Sequence, residues 1–316
     1  MCDQSEFMNK FLFSSVETAG PLPHAGRSIF VAAPDGLRLH VCEHGVASCP
    51  GTPVVCLPGL TRTTADFDDL ARALAVGELT RRVIALDSRG RGQSANDPDP
   101  KNYTPAVELL DLLTVLNALN ISRAVFVGSS RGGILAMLLA ASYPEIIAGT
   151  VLHDIGPVIE PAGVARIKSY VGKLREPSNL NEGADMLREL FAAQFPKLTA
   201  AQWFAAAERT WKKEAGKLVQ TYDPALATTL ADFNIEHPLP PLWNEFDALA
   251  GAPVLVIRGA NSDILSAATV REMRARHPGL QVIEVADQGH VPFLDNADLI
   301  QRIGDFVTSC EGKPTA

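Results

Sequence analysis

Gly128-Ser129-Ser130-Arg131-Gly132 is the strongest chemical signal in this 316-residue chain: a serine with glycines two residues before and two after it. Those glycines let a strand turn sharply into a helix, so that the serine hydroxyl stands exposed at the helix N-terminus. Amide groups and the helix dipole favour developing negative charge there. Ser130 alone has both glycines, which makes Ser129 a neighbour rather than the nucleophile.

A serine hydroxyl attacks a carbonyl only when a base takes its proton, so a histidine must come within reach. Of seven histidines, His290 in Asp287-Gln288-Gly289-His290-Val291-Pro292 stands between the last apolar run and the last helical segment, and it is the expected base. His153 also ends an apolar run and is its competitor. His24 lies in an N-terminal lead-in, His40 and His44 belong to an early hairpin, and His237 and His277 precede prolines; all five read as exposed or capping. The orienting acid should lie between serine and histidine in chain order; Asp263, after the apolar run at 254–257, fits and is the expected acid, with Asp154, after the earlier run, as the alternative. Two backbone N–H groups are needed for the oxyanion, and Arg131 and, beyond Gly59, Leu60 are placed to supply them.

The elements that must position these residues follow from periodicity. Residues 1–25 carry no clear period, and 28–33 and 37–43 read as a hairpin around Pro34-Asp35-Gly36. Short continuous apolar runs at 54–57, 83–86, 124–127, 150–152, 254–257 and 281–285 mark strands buried on both faces of a parallel sheet. Helical segments follow at 65–75, 105–119, 132–142, 267–276 and 297–308. Such alternation gives a doubly wound sheet with its site at the carboxyl ends of the strands. About a hundred residues interrupt it, with helical patterns at 163–174, 182–195 and 200–213. An interval that long must carry its own structure. The predicted organisation is a lead-in at 1–25, a core at 26–155 and 250–316, and a helical cap at 156–249, whose Trp203, Phe204, Trp211, Trp243 and Phe246 could line an apolar pocket.

Composition bounds the partners. A net charge of −8 weighs against nucleic acid, which requires clustered cations. The densest basic stretch, Arg81, Arg82, Arg89 and Arg91, reads as a turn with a solvated face. Five cysteines, without framework or metal-ligand spacing, suit a reducing, cytoplasmic setting; no signal peptide or membrane span is expected. The expected partner is a small ester-like molecule, with no metal or cofactor and with a homo-oligomer allowed.

Together with Leu57-Pro58-Gly59-Leu60 and Asp87-Ser88-Arg89-Gly90-Arg91-Gly92-Gln93-Ser94, these motifs resemble the α/β-hydrolase superfamily over about residues 26–310. Within it the capped esterases, lactonases and meta-cleavage-product hydrolases are the nearest in pattern. The resemblance implies an α/β-hydrolase fold, a mostly parallel twisted sheet of about eight strands flanked by helices, under a helical cap. It also implies acyl transfer through Ser130, His290 and Asp263. The chain departs from the usual pattern at Pro58, where many members have histidine, and at Arg131, where an apolar residue is common; neither change removes a backbone donor. Hydrolysis of a carbon–carbon bond, acyl transfer to another acceptor and a non-catalytic receptor on the same fold are the alternative readings. Haloalkane dehalogenase and epoxide hydrolase are disfavoured, because their elbow presents aspartate where this chain has Ser130.

Overall fold

The computed structural model describes residues 16–18, 26–76 and 80–311. Strand β1 (Val16–Thr18) pairs antiparallel with β2 (Arg27–Ala32), which forms the expected hairpin with β3 (Arg38–His44). The segment expected to be a loose lead-in therefore contributes a strand, and its other residues lie outside those described.

Strands β4 (Val54–Leu57), β5 (Val83–Asp87), β6 (Ala124–Ser129) and β7 (Ile147–His153) alternate with helices α1 (Asp68–Val76), α2 (Pro105–Ala118) and α3 (Arg131–Ser142). The insertion then supplies α4 (Pro161–Tyr170), α5 (Leu180–Phe191), α6 (Ala200–Thr210), a hairpin of β8 (Trp211–Glu214) and β9 (Lys217–Gln220), and the short α7 (Trp243–Asp247). The chain returns through β10 (Val254–Gly259), α8 (Ala267–Arg276), β11 (Gln281–Val285) and α9 (Ala297–Ser309).

Nine strands form one sheet in the order β1-β2-β3-β5-β4-β6-β7-β10-β11, parallel from β5 onward. Alternation along β4 and β5 sorts side chains to its two faces. Val55, Leu57, Ile84 and Leu86 join the core under α2, α3 and α8. Val54, Cys56, Val83 and Ala85 join the opposite core, with Leu70 and Leu74 of α1 and Ile303 and Phe306 of α9. This two-sided burial is why the strands read as unbroken apolar runs.

Three expectations are corrected. Helix α6 stops at Thr210, and residues expected to continue it form β8; Ala215 and Gly216, with φ of 48° and 83°, make the two-residue turn of a hairpin. Phe246 of α7 packs into the core cluster that contains α3 and is buried there, so this end of the insertion belongs to the core rather than to a pocket wall.

The third correction concerns charge. Arg81, Arg82, Arg89 and Arg91 are buried, not solvated. Arg82 pairs with Glu43 at 2.7 Å. Arg89 makes a two-pronged pair with Asp111, at 2.7 Å for each prong, and also bonds Asp97. A buried guanidinium is tolerated only where carboxylates surround it. His40 is likewise buried, 2.7 Å from Asp87, and not exposed.

Replacing Arg89 with Met strands the buried carboxylates of Asp97 and Asp111, and it should lower unfolding stability by about 3–5 kcal/mol. Urea titration of the variant against wild type measures the loss.

Candidate active site

Strands β6 and β7 are neighbours, and the residues that follow them meet above the sheet. Ser130 occupies the turn between β6 and α3 with φ 48° and ψ −112°, a left-handed conformation that costs energy in a non-glycine residue. Its N–H donates to the carbonyl of His153 at 3.0 Å, which ties the turn to the end of β7. Gly132 is required by close approach: a Cβ there would stand 2.0 Å from the carbonyl oxygen of Leu57.

His290 arrives from the opposite edge. It lies in the loop after the outermost strand, β11, and that loop must pass over β10 to reach Ser130. Gly259, the last residue of β10, makes the passage possible, since a Cβ there would be 2.5 Å from the carbonyl oxygens of both Gln288 and Gly289. The imidazole then lies with Nε2 2.9 Å from Ser130 Oγ and Nδ1 2.8 Å from Asp154 Oδ2. A carboxylate can only accept, so Nδ1–H donates to Asp154 and Nε2 is left to accept from Ser130.

The acid facing His290 is therefore Asp154, not Asp263. Asp154 directly follows β7, beside Ser130, with a fully buried side chain. It also accepts from the N–H of Gly259 at 2.7 Å and the hydroxyl of Ser262 at 2.6 Å. Asp263 lies four residues beyond the end of β10 and turns toward α4, where Arg166 grips it through bonds of 2.6 and 2.8 Å. Burial pushes the Asp263 carboxyl up, but that grip more than offsets it and holds the group below its ordinary range. Both aspartates follow adjacent strands, β7 and β10, and keep the order serine, acid, histidine, so neither feature separates them.

His153, the competing base, faces Ser129 instead, with Nδ1 2.6 Å from Ser129 Oγ. Burial lowers its pKa from 6.5 to about 4, so it is neutral near pH 7.

Arg131 opens α3, so its N–H is one of the first-turn amides for which the helix has no carbonyl partner. Leu60 follows Gly59, where a Cβ would stand 3.6 Å from the Ser130 Cβ. The carbonyl of Leu60 accepts from Arg91 Nε at 2.8 Å, which holds the peptide that follows the one carrying the Leu60 N–H. Arg91 also bonds Glu108 at 2.8 Å, and Glu108 accepts from Arg131 Nε at 3.0 Å. Burial would push the Glu108 carboxyl up, yet the two guanidinium groups hold it below the usual range. One buried carboxylate thus links, through two arginine side chains, the two residues expected to supply the oxyanion donors. Sequence reading missed this brace, whose one visible trace was an arginine at an elbow position usually apolar.

Between sheet and cap lies a cleft of about 1280 Å³, its open mouth included, that reaches Ser130 and His290. Phe191, Phe195, Trp203 and Phe293 form much of its apolar wall, and Arg62, Asp66 and Arg209 its polar side. Of the aromatic residues expected to line a pocket, Trp203 does so, whereas Trp211 is buried within the cap and Trp243 packs against the core with Phe246. Phe204 does not line the cleft either. Among the described residues, Cys42, His44 and Asp68 bring potential metal-ligand atoms within 4.8 Å of one another, but none of the three lines the cleft. Among the described residues, no helix is long and apolar enough to cross a membrane.

Sheet order, elbow and cleft define an α/β hydrolase, and the chain belongs to that family: the model of the alpha/beta hydrolase fold matches residues 52–297. It is an enzyme of the hydrolase class. The chain is 35% identical over 276 residues to the 3-hydroxybutyrate-oligomer hydrolase of Cupriavidus necator, covering 84% of this chain and 92% of that protein. It is 29% identical over 273 residues to the sn-1-specific diacylglycerol lipase ABHD11 of Xenopus tropicalis, covering 83% and 80%. Among solved structures, an alpha/beta hydrolase from Novosphingobium aromaticivorans superposes with a TM-score of 0.83 at 38% identity, over 91% of this chain and 99% of that one.

Two predictions follow from these contacts. Because the folded pKa of His153 lies below 6.5, the unfolded chain takes up its proton first, and the stability involved is present above pH 6.5 and lost as pH falls toward 4. A His153→Gln variant should lose about 2 kcal/mol less than wild type between pH 7 and pH 5, read by urea unfolding at each pH. Glu108→Gln weakens both arms of the brace, and it should reduce kcat about tenfold or more with little change in KM for a soluble ester; steady-state kinetics on the purified variant measures this.

Proposed function

We propose that the protein is a serine esterase acting on small to medium, partly hydrophobic carboxylic esters, with Ser130, His290 and Asp154 as its triad. The observation that carries this reading is the unbroken hydrogen-bond chain from the Ser130 hydroxyl through His290 to the buried Asp154 carboxylate. Ser130 Oγ attacks the ester carbonyl while His290 Nε2 takes its proton. The amides of Leu60 and Arg131 receive the oxyanion, His290 returns the proton to the leaving alcohol, and water enters by the same route to release the acid. Asp154 holds the tautomer that leaves Nε2 free and stabilises the imidazolium.

Two further observations support an ester of modest size. The cleft is walled mainly by aromatic and aliphatic side chains, suited to a short carbon chain. The relative from C. necator is named for hydrolysis of 3-hydroxybutyrate oligomers, whose units are joined by ester bonds. We take linear esters of short hydroxy acids as the substrates to test first.

Ser130→Ala should abolish both fluorophosphonate labelling and turnover of p-nitrophenyl butyrate; a variant that still labels removes Ser130 from the mechanism. Asp154→Asn should lower kcat by about 10⁴, while Asp263→Asn stays within a few-fold of wild type. The reverse ranking would return the acid's role to Asp263.

A further inference from the structure

We propose that the cleft contains a carboxylate-binding subsite built on Arg209, so that the preferred ester carries a free acid on its alcohol portion. This inference rests on the esterase reading and adds a charge requirement to it.

The charges lining the cleft balance in number, Arg62 and Arg209 against Asp66 and Asp69, but they are unevenly paired. Asp66 accepts two hydrogen bonds from Arg62, at 2.7 and 2.5 Å, and Arg62 also reaches Thr210 Oγ1 at 3.3 Å. That carboxylate is spent on Arg62. Asp69, the other acid at the wall, is bonded at 2.7 Å to Arg72, which does not line the cleft. Arg209 is left with a share of Asp66 at 3.5 Å, longer than a hydrogen bond. The atom that faces Asp66 is its Nε, which is shut off from water and makes no hydrogen bond at that distance. A buried donor on a full positive charge is costly unless an anion meets it.

Position fixes which part of the substrate that anion belongs to. Arg209 lies over the ring of Phe293, 5.4 Å from its centroid, and Phe293 is three residues beyond His290. His290 delivers its proton to the departing oxygen, so the alcohol portion leaves on the histidine side of Ser130, toward Phe293 and Arg209. In the acylation step the Ser130 Oγ–carbonyl bond forms and the ester C–O bond breaks. The Ser130 proton passes through His290 to the alkoxide oxygen, and the alcohol departs as a neutral hydroxyl with its carboxylate still on the guanidinium. Such a substrate is a hydroxy acid esterified through its hydroxyl group. The aromatic walls lower the local dielectric and strengthen the pairing, while the methylene groups of the hydroxy acid lie against them.

The test compares the linear dimer of 3-hydroxybutyrate with its terminal carboxamide, which has the same ester bond and nearly the same shape without the charge. Wild type should cleave the acid with a kcat/KM at least about tenfold above that of the amide. Arg209→Met should bring that ratio close to one, and Arg209→Lys should keep part of it. Equal rates for acid and amide in wild type, or an undiminished ratio in Arg209→Met, would overturn the subsite. Failure to cleave either dimer or p-nitrophenyl butyrate would instead count against the esterase reading. Calorimetric binding to Ser130→Ala then decides the subsite by itself: the acid should bind about tenfold more tightly than the amide, an advantage erased by adding Arg209→Met, and equal affinities reject it.

Discussion

The site depends on one imidazole held at both ends. His290 sits on a loop from the edge of the sheet, yet it must touch a hydroxyl that emerges three strands further in. Its bond to Asp154 does more than set a tautomer: it anchors the loop against the end of β7, where the turn holding Ser130 is also anchored. Asp154 bonds Gly259 and Ser262 as well, so the same carboxylate fixes the end of β10 over which the loop crosses. Ser130, His290 and the crossing point are thereby referred to a common origin.

The chemistry of the rest of the cleft follows from its construction. The sheet supplies the rigid floor, because its strands are buried on both faces and cannot shift without opening two cores. The insertion supplies the walls, with Trp203 and Phe195 packed edge to face in a small core of its own. Charged groups enter where the two parts meet. Arg62 and Asp66 come from below, Arg209 from above, and their contacts join the insertion to the loop that carries Leu60.

Much of this was legible in the sequence, and the reason is local periodicity. The parallel strands and the helices between them carry unbroken apolar runs or amphipathic patterns, so α8 was expected where it stands, and the elbow at Ser130 and the loop at His290 follow from glycine placement beside those runs. What escaped is settled by tertiary contacts. Asp154 and Asp263 each follow a strand, and only the path of the chain after β10, drawn aside by Arg166, separates them. Arg89 and Arg91 look like surface residues until their carboxylate partners are brought together from 8 to 54 residues away. The β8–β9 turn was missed because its first residue is Ala215 rather than the Asn or Asp that usually marks such a turn.

Glu108 has a consequence for how such an enzyme can change. Its one carboxylate is shared by the arginine bonded to Leu60 and by Arg131 next to Ser130, so the two sides of the proposed oxyanion pocket are electrostatically married. An apolar residue at position 131 alone would leave the buried acid with half its counter-charge. Residues 91, 108 and 131 form a single electrostatic unit, in which removing one charge leaves the others unbalanced.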